Sequence, residues 1–134
     1  LPSANAARAI VNTTETTAST SYVQLTTATD FVTVTVGATG KVIILARAMT
    51  SNTGVNYNYL AVAFSGANTL TAANADTAGY YSQEAQASGS NVNAIYLNHV
   101  YSGLTPGSTT FSMYYKTSAG TASFKNRIIS VIPL

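Results

Sequence analysis

The carboxylates and the imidazole of this sequence number five: Glu15, Asp30, Asp76, Glu84 and His99. General acid–base catalysis needs two such groups held on one substrate, and nucleophilic catalysis needs a hydroxyl, thiol or amine beside a base. The four carboxylates stand far apart and fall mostly in expected loops, where they read as solvated charges. Asp76 and Glu84 flank the Tyr80-Tyr81 pair, but a glycosidase pair requires a fixed separation that spacing alone does not supply. His99 sits mid-strand among apolar neighbours with no nucleophile or orienting carboxylate close in sequence, and reads as a hydrogen-bonded structural or interface residue. Without cysteine, a second histidine or an Asp-x-Asp-x-Asp loop, neither a zinc nor an EF-hand-like calcium site can be assembled. There is no Gly-x-Ser-x-Gly elbow and no glycine-rich phosphate loop. We assign no catalytic residue, no metal and no cofactor, and expect a protein without turnover.

Tyrosine is the enriched functional type. Nine Tyr and no Trp supply broad amphipathic contact area at modest entropic cost. Tyr57, Tyr59, Tyr80, Tyr81, Tyr96 and Tyr114 fall on expected outer faces or near loops, where they cover sheets and subunit contacts or form a glycan or receptor platform. Tyr80, Tyr81, Asn91 and Asn93 are the candidate contacts of such a platform. The six cations, Arg8, Lys41, Arg47, Lys116, Lys125 and Arg127, are scattered and make no row to neutralise phosphates. A nucleic-acid partner is not expected.

These residues must be held by β-sheets. Phe31–Val36 alternates strictly, with Val32, Val34 and Val36 on one face, and Gly37–Gly40 forms a short turn into a returning strand, Lys41–Thr50. That strand turns Val42, Ile44, Ala46 and Ala48 inward and Ile43, Leu45 and Arg47 outward. Tyr57–Ser65 places Leu60, Val62 and Phe64 inward; Thr109–Thr117 does the same with Phe111, Met113 and Tyr115. Ala94–Ser102 sets Ile95, Leu97, His99 and Tyr101 on one face. Shorter strands are expected at Ala9–Asn12, Ser21–Leu25 and Gly79–Glu84, and Thr121–Phe124 opens a last hairpin. Arg127–Ile132 is apolar on both faces, as in a strand covered on both sides. Residues 1–20 form an arm or edge strand and 21–134 the folded domain; the start without Met predicts a domain of a longer protein.

Only 7% of the residues are charged while 46% are hydrophobic, whereas a soluble monomer carries many more surface charges. Coverage by other subunits follows, with Ile43, Leu45, Ile129 and Val131 as the candidate oligomer interface. The longest apolar stretch, Val42 to Ala46, is far too short to span a membrane. Eight or so short strands predict an antiparallel two-sheet sandwich, as a jelly roll or, second, an immunoglobulin- or fibronectin-type sandwich.

The ending Thr121-Ala-Ser-Phe124-Lys-Asn126-Arg127-Ile128-Ile129-Ser-Val131-Ile132-Pro133-Leu134 resembles the C-terminal strands of tail and other virion surface proteins of actinobacterial bacteriophages. Gly103-Leu104-Thr-Pro106-Gly107-Ser-Thr-Thr-Phe111 is similar to the turn before them, and Phe31–Val36, Gly40–Leu45 and Ala63–Ala67 to their middle strands. The resemblance runs over roughly residues 14 to 134. It implies a trimeric β-sandwich module on the particle surface, in contact with other virion proteins and host-surface glycan. Its role there is host attachment or, alternatively, capsid decoration. A carbohydrate-binding module of a secreted bacterial protein is the reading from outside this class.

Overall fold

A computed structural model describes residues 6–73, 81–85 and 91–134. The strands are β1 (Ala7–Val11), β2 (Glu15–Thr17), β3 (Phe31–Val36), β4 (Val42–Asn52), β5 (Tyr57–Gly66), β6 (Tyr81–Ala85), β7 (Asn93–Tyr101), β8 (Gly107–Thr117) and β9 (Ala122–Pro133). They form two antiparallel sheets, one ordered β1-β9-β4-β7 with β2 also on β9, the other ordered β3-β8-β5-β6. Among the described strands, every step along the chain other than β1–β2 and β5–β6 crosses from one sheet to the other. This is jelly-roll connectivity. One expected hairpin is therefore replaced by a crossing, since β3 and β4 lie in different sheets, and the last hairpin is replaced by a single strand, since Thr121–Phe124 and Arg127–Ile132 run on as β9. The expected strand at Ser21–Leu25 shrinks to one bridge, Val23 opposite Tyr115.

Alternation fixed the inward faces. Val32, Val34, Val36, Ile44, Leu60, Val62, Phe64, Phe111 and Met113 all lie in the core between the sheets. Phe64 packs edge-on against both Phe111 and Tyr101, each with ring centroids 4.9 Å away. One end of the sandwich is closed by amides instead. Asn52 Nδ2 donates to Asn58 Oδ1 and Thr117 Oγ1, both at 2.8 Å, and Asn58 Nδ2 donates to Thr50 Oγ1 at 2.7 Å. The partnering is needed because buried amides without it are costly.

In β9 the alternation is interrupted once. Ala122 and Phe124 point inward, and so do Arg127, Ile129 and Val131, so the phase slips at Asn126. The register against β4 shifts between Arg47 and Met49, and Asn126 takes φ 50°. This is a β-bulge, with its extra residue in the left-handed region that Asn tolerates better than most side chains. Opposite it, β1 ends at Val11 on Arg127 and β2 begins at Glu15 on Phe124. The slip turns Arg127 into the core, with 0% exposure.

Candidate functional site

The bulge brings charged groups together. Arg127 Nη1 donates to Asp30 Oδ2 at 2.8 Å, and its Nη2 pairs with Glu15 Oε2. Tyr115 hydroxyl donates to the same Asp30 oxygen at 2.6 Å. Thr27 holds the other end of Glu15, through its backbone N–H at 2.8 Å and its hydroxyl at 2.6 Å. Glu15 and Asp30 are therefore not solvated loop charges, as their spacing suggested; Asp30 has no exposure at all. Burial is the largest influence on Asp30 and raises its pKa, against the opposing pull of the Tyr115 hydroxyl and Arg127. Burial also pushes Glu15 upward, but the Thr27 hydrogen bonds and the Arg127 charge outweigh it and hold its carboxyl below the usual value. Tyr115 rises well above the ordinary phenol value, through burial first and then the neighbouring Asp30. A phenol so disposed stays a hydrogen-bond donor. The cluster joins β9 of one sheet to β8 of the other, with both carboxylates already committed to the guanidinium. Its sequence signal was an Arg inside a strand apolar on both faces, which calls for a buried partner.

Two outer faces remain, and they differ. On the five-stranded sheet, cross-strand partners form three rows: Ile10–Ile128–Arg47–Tyr96, Arg8–Ser130–Leu45–Asn98 and Ile132–Ile43–Val100. Ile10, Leu45, Tyr96 and Val100 are 42–53% exposed, and Arg8 and Arg47 are the charges among them. Ile43 and Leu45 thus occupy the outer face expected of them. Ile129 and Val131 do not. Both have 0% exposure within one chain, because the bulge sets their phase inward, and Ile128 and Ile132 take the outer positions on β9.

The four-stranded sheet presents tyrosine and hydroxyls. Tyr57, Tyr59 and Tyr81 form a run with centroid separations of 6.5 and 6.1 Å. Lys116 Nζ lies 4.4 Å from the Tyr22 ring centre and 4.8 Å from that of Tyr59, within cation–π range. Of the expected contact group, Tyr81 belongs here, and Tyr80 lies outside the described residues. Asn93 Nδ2 reaches the carbonyl of Ala85, at the opposite end of β6 from Tyr81. Asn91 is exposed just before β7. The structure does not gather Tyr81 and Asn93 into one site: four residues of strand, about 13 Å, separate their positions along β6. Beside the tyrosine run lies a groove of about 540 Å³, floored by Ala63 and Ser112 and walled by Tyr22, Tyr114 and Leu70. Sequence reading missed it, because two of its walls, Tyr22 and Leu70, come from segments outside the regular strands. His99 is exposed on β7, its ring 4.6 Å from that of Tyr101. Among the described residues no three His, Cys, Asp or Glu side chains are grouped to hold a metal.

No protein-family model matches the chain, and no curated protein matches it in sequence. Solved structures share its fold. Eiger TNF from S. frugiperda aligns over 97% of this chain and 92% of its own at TM-score 0.56 and 11% identity. The globular domain of zebrafish complement 1qA covers 97% of both chains at 0.54 and 12%. Murine APRIL at pH 8.0 covers 97% of this chain and 98% of its own at 0.52 and 13%. The fold is that of the TNF- and C1q-like jelly-roll domains. At this identity the similarity is one of architecture.

Proposed function

We propose that this chain is a virion surface module of the kind actinobacterial phages carry, a homotrimer without turnover that attaches the particle to its host. The observation that carries the reading is the division between the two outer faces. The five-stranded sheet exposes Ile10, Leu45, Tyr96 and Val100 in contiguous rows, which suits burial against copies of the same chain. The four-stranded sheet offers tyrosines and hydroxyls, which suit weak contacts to neutral surfaces. The ionisable residues that meet closely, Glu15, Asp30 and Arg127, are engaged in joining the sheets. The strand and turn motifs from Gly103 to Leu134 support placement on a phage particle. Three copies on one axis, repeated over a virion, turn millimolar contacts into firm attachment through effective concentration.

Light scattering coupled to gel filtration should give three times the 13.9 kDa chain mass. The purified trimer should then bind isolated bacterial cell walls and leave empty capsids unbound. Stoichiometric capsid binding without wall binding would make it a decoration protein. Cleavage of an added wall polysaccharide would defeat the reading altogether.

A further inference from the structure

The groove on the outer face of the four-stranded sheet has the construction of a small-ligand site. Its floor is hollow because small residues meet across the strands: Ala63 of β5 stands opposite Ser112 of β8. Both walls are fixed by paired backbone hydrogen bonds. Val23 and Tyr115 exchange two at 2.9 Å, which sets Tyr22 along one side. Phe64 and Leu70 exchange two at 2.9 and 3.1 Å, which sets Leu70 along the other. The return from Phe64 to Leu70 turns at Gly66, whose φ is 99° and where a Cβ would lie 2.6 Å from the Ser108 carbonyl oxygen. A volume near 540 Å³ falls within the range of roughly 300–1,000 Å³ usual for ligand pockets.

The lining specifies the ligand's chemistry. No Asp, Glu, Lys or Arg lines the groove among the described residues. Tyr22 and Tyr114 present aromatic surface, and Ser21, Ser65, Thr69 and Ser112 present hydroxyls. A purely aliphatic ligand would leave those hydroxyls without partners, and a phosphate or carboxylate would find no counter-charge in the lining, because Lys116 stands outside it over the Tyr22 and Tyr59 rings. A pyranose carries an apolar face and a rim of hydroxyls, and matches both. We infer that this groove binds a short neutral oligosaccharide, with a sugar face on Tyr22 or Tyr114 and its hydroxyls toward the Ser and Thr side chains. The inference rests on the attachment reading and names the class of receptor it would use.

The test is saturation-transfer NMR on the purified chain with maltotriose, cellotriose, mannotriose, galactotriose and chitotriose, beside trigalacturonate. At least one neutral trimer should bind at millimolar concentration, and trigalacturonate should bind no better. Ala63→Leu, which fills the floor from a position outside the core, should weaken that binding at least tenfold. Tyr114→Ala should weaken it comparably, with circular dichroism unchanged in both variants. Tyr57→Ala, on the same face but outside the groove, should leave it intact. Silence from every neutral trimer, preference for the acidic one, or unchanged affinity in both groove variants would overturn the site. Wall binding that survives Ala63→Leu would overturn the groove while sparing attachment. Groove binding without wall binding would spare the groove and defeat attachment.

Discussion

Asn126 adopts a left-handed backbone on the exposed edge of the bulge, so its side chain is tested there by conformation more than by packing. The left-handed region costs an ordinary L-residue about 1–2 kcal/mol, and a β-branched one most. Asn126→Val should lower stability by about that amount in urea unfolding, whereas Asn126→Gly should be neutral or stabilising. Next to it, Arg127→Met strands two carboxylates, one of them wholly buried, and breaking a buried pair this way costs about 3–5 kcal/mol. The cluster also fixes an acid response. Glu15 titrates below its unfolded value of 4.5, so its contribution is complete above that pH and is lost as pH falls through the folded value. Asp30 titrates above its unfolded 3.8, so its contribution has the opposite sign: greatest at low pH, it declines as pH rises through the folded value. Glu15→Gln removes the first and leaves the second. The variant should therefore lose less stability than the parent as pH falls from 5 to 3, and an equal loss in paired urea titrations would refute this account.

Strands explain why some of this was visible beforehand. Period-two alternation assigns faces wherever one side is apolar, which is why β3, β4, β5 and β8 showed their core residues from Val32 to Tyr115. It fails in β9, where Ile128 to Ile132 are apolar on both faces and a one-residue slip leaves no mark in hydrophobicity. Ile129 and Val131 were misplaced for that reason, and the ion cluster was hidden because its partners lie 97 and 112 residues apart. Strand partners were equally hidden, since local turns such as Gly37–Gly40 look alike whether the chain folds back or crosses to the other sheet. The outer face of β4 remains where alternation put it. In the proposed trimer, Ile43→Asp would place an unpaired charge in an apolar contact between subunits, where it is costly. The variant should elute as a folded monomer in gel filtration with light scattering. An unchanged oligomer would remove Ile43 from the interface.

At the scale of the molecule, the order of strands in space departs sharply from their order in time. The last strand, β9, lies between β1 and β2 on one side and β4 on the other. During synthesis, eight strands emerge before the one that joins them, and β1 and β4 wait with open edges that would otherwise pair. Mostly non-local pairing also folds slowly, since loops must close before their contacts form. A chain ending at Lys125 keeps the β2 and lower β4 contacts of β9 but loses Arg127 and every pairing with β1. Such a chain should accumulate as aggregate rather than as a destabilised monomer, which sedimentation of a lysate would reveal. The two-sheet fold can therefore close only once β9 has emerged and found its place between β1 and β4, so the interval spent waiting for that strand is when the chain is most exposed to mispairing.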